Sequence, residues 1–108
     1  MADLTPQQVF DEMPNKFVPE RAKGVNAVIQ FNLSGDNGGL WHLTVADGVA
    51  STAAGTAENP NVTISIASTD FVNLITGKVN GMQLFMSGKI KLTGDMMLAN
   101  SMMNWFQM

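Results

Sequence analysis

The chain contains no cysteine, which excludes a disulfide scaffold, a thiolate zinc site and a cysteine nucleophile, and is compatible with a reducing compartment. Charge is also scarce. Only 14% of the 108 residues are charged, the formal net charge is −3, and the six basic residues are scattered rather than clustered. A nucleic-acid partner is therefore not expected. No apolar run approaches the ~20 residues that span a bilayer, so no transmembrane segment is expected. Met1-Ala2-Asp3-Leu4 has neither a basic start nor an apolar stretch of signal-peptide length, and Phe106-Gln107-Met108 is not a peroxisomal address. The expected location is cytoplasmic.

What is present is apolar. With 45% hydrophobic residues, the chain reads as one domain over residues 1–108, and a domain of this mass buries roughly 65% of the surface its unfolded form exposes. Nine residues are methionine, and seven of them (Met82, Met86, Met96, Met97, Met102, Met103 and Met108) fall in the last 27 positions. Methionine is unbranched and polarisable, so it serves as filler in irregular cores or as the lining of adaptable binding surfaces.

The order of elements follows from local patterns. Thr5-Pro6-Gln7-Gln8 is a helix start, with Val9, Phe10 and Met13 forming one stripe and Pro14 as the expected end. From Val25 the period becomes two, placing Ala27, Ile29, Phe31 and Leu33 on one face of a strand. The turn SGDNGG (34–39) leads into a strand carrying Trp41, Leu43 and Val45, and Asp47-Gly48 turns into a weaker strand at 49–53. After Glu58-Asn59-Pro60-Asn61, a fourth strand carries Val62, Ile64 and Ile66, and these four strands are expected to form an antiparallel meander. Ser68 or Thr69 should cap a helix with Phe71, Leu74 and Ile75 on one face, stopped by Gly77. A short helix with Met82, Leu84, Phe85 and Met86 ends at Gly88. A strand at 89–93 follows, with Lys89 and Lys91 toward solvent. Asp95 caps a last helix from Met96 to about Gln107, and the final thirteen residues of the chain are uncharged. The plan is α+β, with a five-stranded, mainly antiparallel sheet covered on one face by helices.

Catalytic chemistry is absent from these patterns. His42 is the single histidine, and one unpartnered imidazole makes neither a metal site nor a triad. Asp36, Asp47, Asp70 and Asp95 sit at turns and caps, where a short carboxylate serves the backbone. Gly35, Gly38 and Gly39 precede a strand, not a helix N-terminus, so they make a hairpin rather than a phosphate loop. No catalytic residue, metal ligand or cofactor is assigned, and the chain is not expected to be an enzyme. Two uses remain for the apolar helices over Phe31, Trp41, Leu43, Val45, Ile64 and Ile66: an ordinary core with methionine filler, or the wall of a lipid-sized cavity.

The run Phe85-Met86-Ser87-Gly88-Lys89-Ile90-Lys91-Leu92-Thr93-Gly94-Asp95-Met96-Met97-Leu98-Ala99 resembles the signature of the sterol carrier protein type 2 (sterol-binding) domain family. Asn59-Pro60-Asn61-Val62-Thr63-Ile64, Ser68-Thr69-Asp70-Phe71, Gly77-Lys78 and Val25-Asn26-Ala27-Val28-Ile29-Gln30-Phe31 also fit, so the likeness extends over about residues 5–106. It implies a hydrophobic tunnel under the helices for a fatty acid, fatty acyl-CoA, phospholipid or sterol, and a role as a lipid carrier, alone or attached to an enzyme. Two features depart from the family pattern: the peroxisomal tripeptide is missing, and Ser101-Met102-Met103 replaces a lysine often found midway along the last helix.

On this basis Phe71, Leu74, Ile75, Leu84, Phe85 and Met86 are expected to form one wall of the ligand site. Met97, Leu98, Met102 and Phe106 form a mobile second wall, and Trp41 and Ile64 the floor. Asn100 or Gln83 is placed to hydrogen-bond a head group or, alternatively, to face solvent. An empty, rigid pocket of roughly 300 Å³ would cost about 7 kcal/mol at ~24 cal/mol per Å³, so such a tunnel is expected to be occupied or partly closed by methionines. The alternative function is an interaction or oligomerisation module using the uncharged last helix, with little lipid binding. The associations left open are transient contact with a membrane or partner enzyme, and a monomer or weak dimer.

Overall fold

The computed structural model describes residues 5–106, the Met103 side chain excepted. The expectations for Met1–Leu4, for Gln107 and for Met108 lie outside the described residues. Helix α1 (Pro6–Lys16) starts on the expected capping box: the Thr5 N–H donates to Gln8 Oε1 (2.8 Å) and the Gln8 N–H to Thr5 Oγ1 (3.3 Å). It does not end at Pro14. A proline within a helix leaves the carbonyl four residues earlier without its donor. Here the Thr52 hydroxyl donates to the Phe10 carbonyl at 2.7 Å, so the helix continues to Lys16. A 3₁₀ turn (Pro19–Ala22) leads to the sheet.

The sheet comprises β1 (Ala27–Ser34), β2 (Gly39–Ala46), β3 (Val49–Ala54), β4 (Val62–Ala67) and β5 (Ile90–Gly94), in the order β3-β2-β1-β4-β5. Strands β1 to β3 form the expected meander, with Asp47 and Gly48 both at positive φ in the second turn. Strand β4 departs from expectation: it pairs parallel with β1, Phe31 opposite Ile64, while β4–β5 is antiparallel. The connection from Gly55 to Asn61 passes over the polar face of the sheet. There Gln30, only 2% exposed, donates through Nε2 to the Gly55 carbonyl and accepts from the Ala57 N–H, while His42 Nδ1 lies 3.1 Å from the Gly55 carbonyl. Asn61 then docks β4 beside β1 through reciprocal bonds with Val28, each 2.8 Å.

The helices α2 (Ser68–Ile75), α3 (Gly81–Met86) and α4 (Met96–Met102) follow in the second half of the chain. Neither Ser68 nor Thr69 caps α2. Ala67 occupies that position without a side-chain bond, and the Ser68 hydroxyl instead donates to the Asp36 carbonyl in the β1–β2 turn. Helix α4 is shorter than expected and passes into a 3₁₀ turn (Met103–Trp105). Its continuation is diverted because the Val18 N–H donates to the Trp105 carbonyl (2.7 Å) and Phe106 forms a β-bridge with Phe17. The core lies between the helices and the sheet face bearing Ile29, Phe31, Leu43, Val45, Val62 and Ile66, all buried. Phe10 is its hub, with ring centroids 5.0–5.1 Å from those of Trp41, Phe31 and Phe71. Among the described residues no helix is long and apolar enough to cross a membrane.

Candidate functional site: an apolar cavity between sheet and helices

The packing that is tight around Phe10 opens toward β5. A cavity of about 580 Å³ lies there, within the ~300–1,000 Å³ of small-molecule sites. Its floor is Phe31, Ile64, Ile66, Ile90 and Leu92; Phe71, Leu74 and Ile75 of α2 form one wall, and Val79, Met82 and Phe85 belong to the approach to α3 and to α3 itself. Helix α4 contributes Met96, Ala99, Asn100 and Met102. Local chemistry places these elements. Gly77 at positive φ ends α2, the Asn80 side chain accepts from the Gln83 N–H (2.8 Å) to start α3, and Asp95 Oδ1 accepts from the Leu98 N–H (3.0 Å) to start α4. Gly94 turns β5 into α4 at φ +103, where any Cβ would collide with the Asn61 carbonyl oxygen. Phe31, Ile66 and Phe71 are buried at the bottom, whereas Met82, Phe85, Met96, Asn80 and Asn100 are exposed and mark the mouth.

Seven of the thirteen residues expected at a ligand site line this cavity: Ile64, Phe71, Leu74, Ile75, Phe85, Asn100 and Met102. The other six are elsewhere. Trp41 stacks on Phe10 and donates through Nε1 to Gln7 Oε1 (3.2 Å). Leu84 is buried in the core, and Leu98 is half-buried against it. Met86 and Met97 are 79% and 80% exposed. Phe106 packs on Phe17 and lines a second cavity, also about 580 Å³, with Val9, Met13 and Lys16 of α1. Leu74 and Ile75 line both cavities and so stand between them. Gln83 is exposed and does not line the first cavity. Among the lining residues not assigned from sequence, Ile90 and Leu92 carried a signal: they alternate with Lys89 and Lys91, so they face inward wherever the lysines face water. Phe31 and Ile66 belonged to the expected inward face. Met96 and Ala99 carried none, because the stripe of α4 does not say which of its members meet sheet and which meet open space.

A sealed void of this volume would cost roughly 14 kcal/mol at ~24 cal/mol per Å³, comparable to the ~5–15 kcal/mol of a whole domain. The open mouth removes that cost by admitting solvent or a ligand, and walls of Phe, Ile, Leu and Met favour an apolar occupant. Fold and cavity together define an α+β domain with an open apolar site of small-molecule size. The chain belongs to the SCP-2 sterol transfer family, whose pattern it matches over residues 7–107, and the family's ligands are lipids. It is 37% identical over 95 residues to hydroxysteroid dehydrogenase-like protein 2 of Danio rerio, a match covering 85% of this chain and 22% of that protein. The chain thus spans about a fifth of the length of this relative. Its fold is similar to that of the sec-alkylsulfatase Pisa1 from Pseudomonas sp. (TM-score 0.86, 20% identity, 97% of this chain and 17% of that one). It is also similar to palmitated SCP2L2 from Aedes aegypti (TM-score 0.76, 22% identity, 94% and 93%).

Proposed function

We propose that the domain is a non-catalytic carrier that holds one lipid acyl chain in the cavity between α2, α3, α4 and β5. The observation that carries this reading is the cavity itself: about 580 Å³, with Phe31, Ile64, Ile66, Phe71 and Leu92 inside and polar side chains, Asn80 and Asn100, at the rim. Such a site offers an alkyl chain burial along its length and leaves a polar head group at the mouth. The relative of like fold described as palmitated supports an acyl chain over other apolar ligands. A non-catalytic role is supported by His42, whose Nδ1 is engaged with a backbone carbonyl on the opposite face of the sheet, remote from the cavity lining.

Native mass spectrometry and lipid extraction of freshly purified protein test the proposal. The expected result is a mass increment that extraction assigns to a fatty acid or acyl lipid, and a raised melting temperature on adding palmitate. A homogeneous ligand-free mass with no thermal shift would overturn it, and recovery of a sterol alone would overturn the acyl assignment.

A further inference from the structure

We infer that the Leu74 side chain is a bulkhead that sets the longest acyl chain this domain holds, and that the second cavity, beside α1, is the space a longer chain would need. The inference rests on the carrier reading and adds chain length to it. The two cavities are alike in size, about 580 Å³ each, and Leu74 and Ile75, at the end of α2, are the lining residues they share. Each is an apolar cup with a polar rim. In the second, Val9, Met13 and Phe106 are buried, whereas Gln8, Glu12, Lys16 and Thr76 are exposed. Glu12 and Lys16 stand four residues apart on one face of α1. Their charges cancel, so this rim gives an anionic head group no net attraction, and the cavity suits a tail.

What separates the cavities is side chain and not a movable backbone. The last turn of α2 is pinned, because the Thr76 N–H donates to the Val72 carbonyl (2.9 Å), the Gly77 N–H to that of Leu74 (3.3 Å) and the Lys78 N–H to that of Asn73 (2.8 Å). Ile75 is buried and β-branched, which holds its χ1 essentially to one rotamer in a helix. Leu74 is half-buried and branches one carbon further out, so it keeps freedom that Ile75 lacks. Its Cδ1 reaches the start of α3, where a Cβ built on Gly81 would lie 3.8 Å from it. Shortening Leu74 therefore removes atoms between the two spaces and leaves the helix bonds in place. Capacity follows from volume. A methylene takes up about the ~30 Å³ of one water molecule in the liquid, so one cavity of this size holds at most about twenty carbons, and a joined pair roughly twice that.

The test is displacement of a fluorescent fatty acid by straight-chain acids of about 12 to 26 carbons presented from cyclodextrin. For wild type, affinity should rise about fourfold per methylene and level off at or below about twenty carbons. Leu74→Ala should bind the shorter acids no better than wild type, yet gain on past that limit and bind the longest about tenfold or more tightly than wild type does. Leu74→Val, a milder truncation, serves if Leu74→Ala does not fold, and Leu74→Phe should level off no later than wild type. An acid of about 24 carbons with a diazirine at its methyl end should label Val9 or Met13 of α1 in the truncated variant and not in wild type. A wild-type profile that keeps rising past twenty carbons, an unchanged limit in the folded truncation, or no α1 label there would overturn the inference and leave the carrier standing. Binding of no fatty acid at any length would reject both.

Discussion

At Gly94 two requirements coincide. Its φ of +103 is a region that side chains rarely adopt, and a Cβ there would press on the Asn61 carbonyl and approach Val62 Cα to 3.1 Å. Gly94→Ala should destabilise the fold by about 2 kcal/mol, read as a shift in the urea midpoint. Thr52 is the complementary case of a polar side chain serving a distant backbone group. Thr52→Val should cost about 1 kcal/mol, and less in a Pro14→Ala background, where the Phe10 carbonyl regains a helical donor; a double-mutant cycle measures the coupling. For the cavity, Ala99→Phe fills space from the α4 side. It should weaken palmitate binding by roughly tenfold, about 1.4 kcal/mol, with the native circular dichroism retained. Roles fixed by immediate neighbours were legible in the sequence: the Thr5–Gln8 capping box, the Asp47-Gly48 turn and the stop at Gly77. The roles of Thr52 and Ser68 were not, because their partners, Phe10 and Asp36, lie far away along the chain.

Among the elements, the strands followed from alternation and turns, but the pairing of β4 did not. Glu58-Asn59-Pro60-Asn61 breaks the chain without saying where it goes next. Seven residues from Gly55 to Asn61 reach up to roughly 23 Å, enough to pass the roughly 14 Å of three strand spacings, so crossing the sheet was as open as turning back. Helices posed the opposite difficulty. An apolar stripe identifies a helix but does not separate core, cavity and solvent, which is why Leu84, Met82 and Met86 of α3 end in three different surroundings. Dynamics should follow the same division. Amides of β1, β2 and β4, central in the sheet, should exchange slowest, and those of α3, with one buried residue, among the fastest. Palmitate should slow exchange in α3 and α4 more than in β1, as hydrogen-exchange mass spectrometry can measure; equal slowing throughout would argue against a ligand held between those helices.

For the whole molecule, a ligand bound only by the folded state adds its binding free energy to stability. At a hundredfold excess over Kd this is ~2.7 kcal/mol, or a rise in Tm of roughly 10 °C or more for a domain of this size. The cavity also has a consequence for the order of assembly. Its lining begins with Phe31 in β1 and finishes with Met102 near the end of α4, while the Phe10 hub and the β1–β3 meander are complete in the first half of the chain, apart from Phe71. A nascent chain can therefore gather much of its aromatic cluster early, yet its sheet floor stays uncovered until the last helix is synthesised. Chains that stop within α4 should expose Ile64, Ile66 and Leu92 to one another and aggregate, making solubility on release a measure of how late the binding site closes.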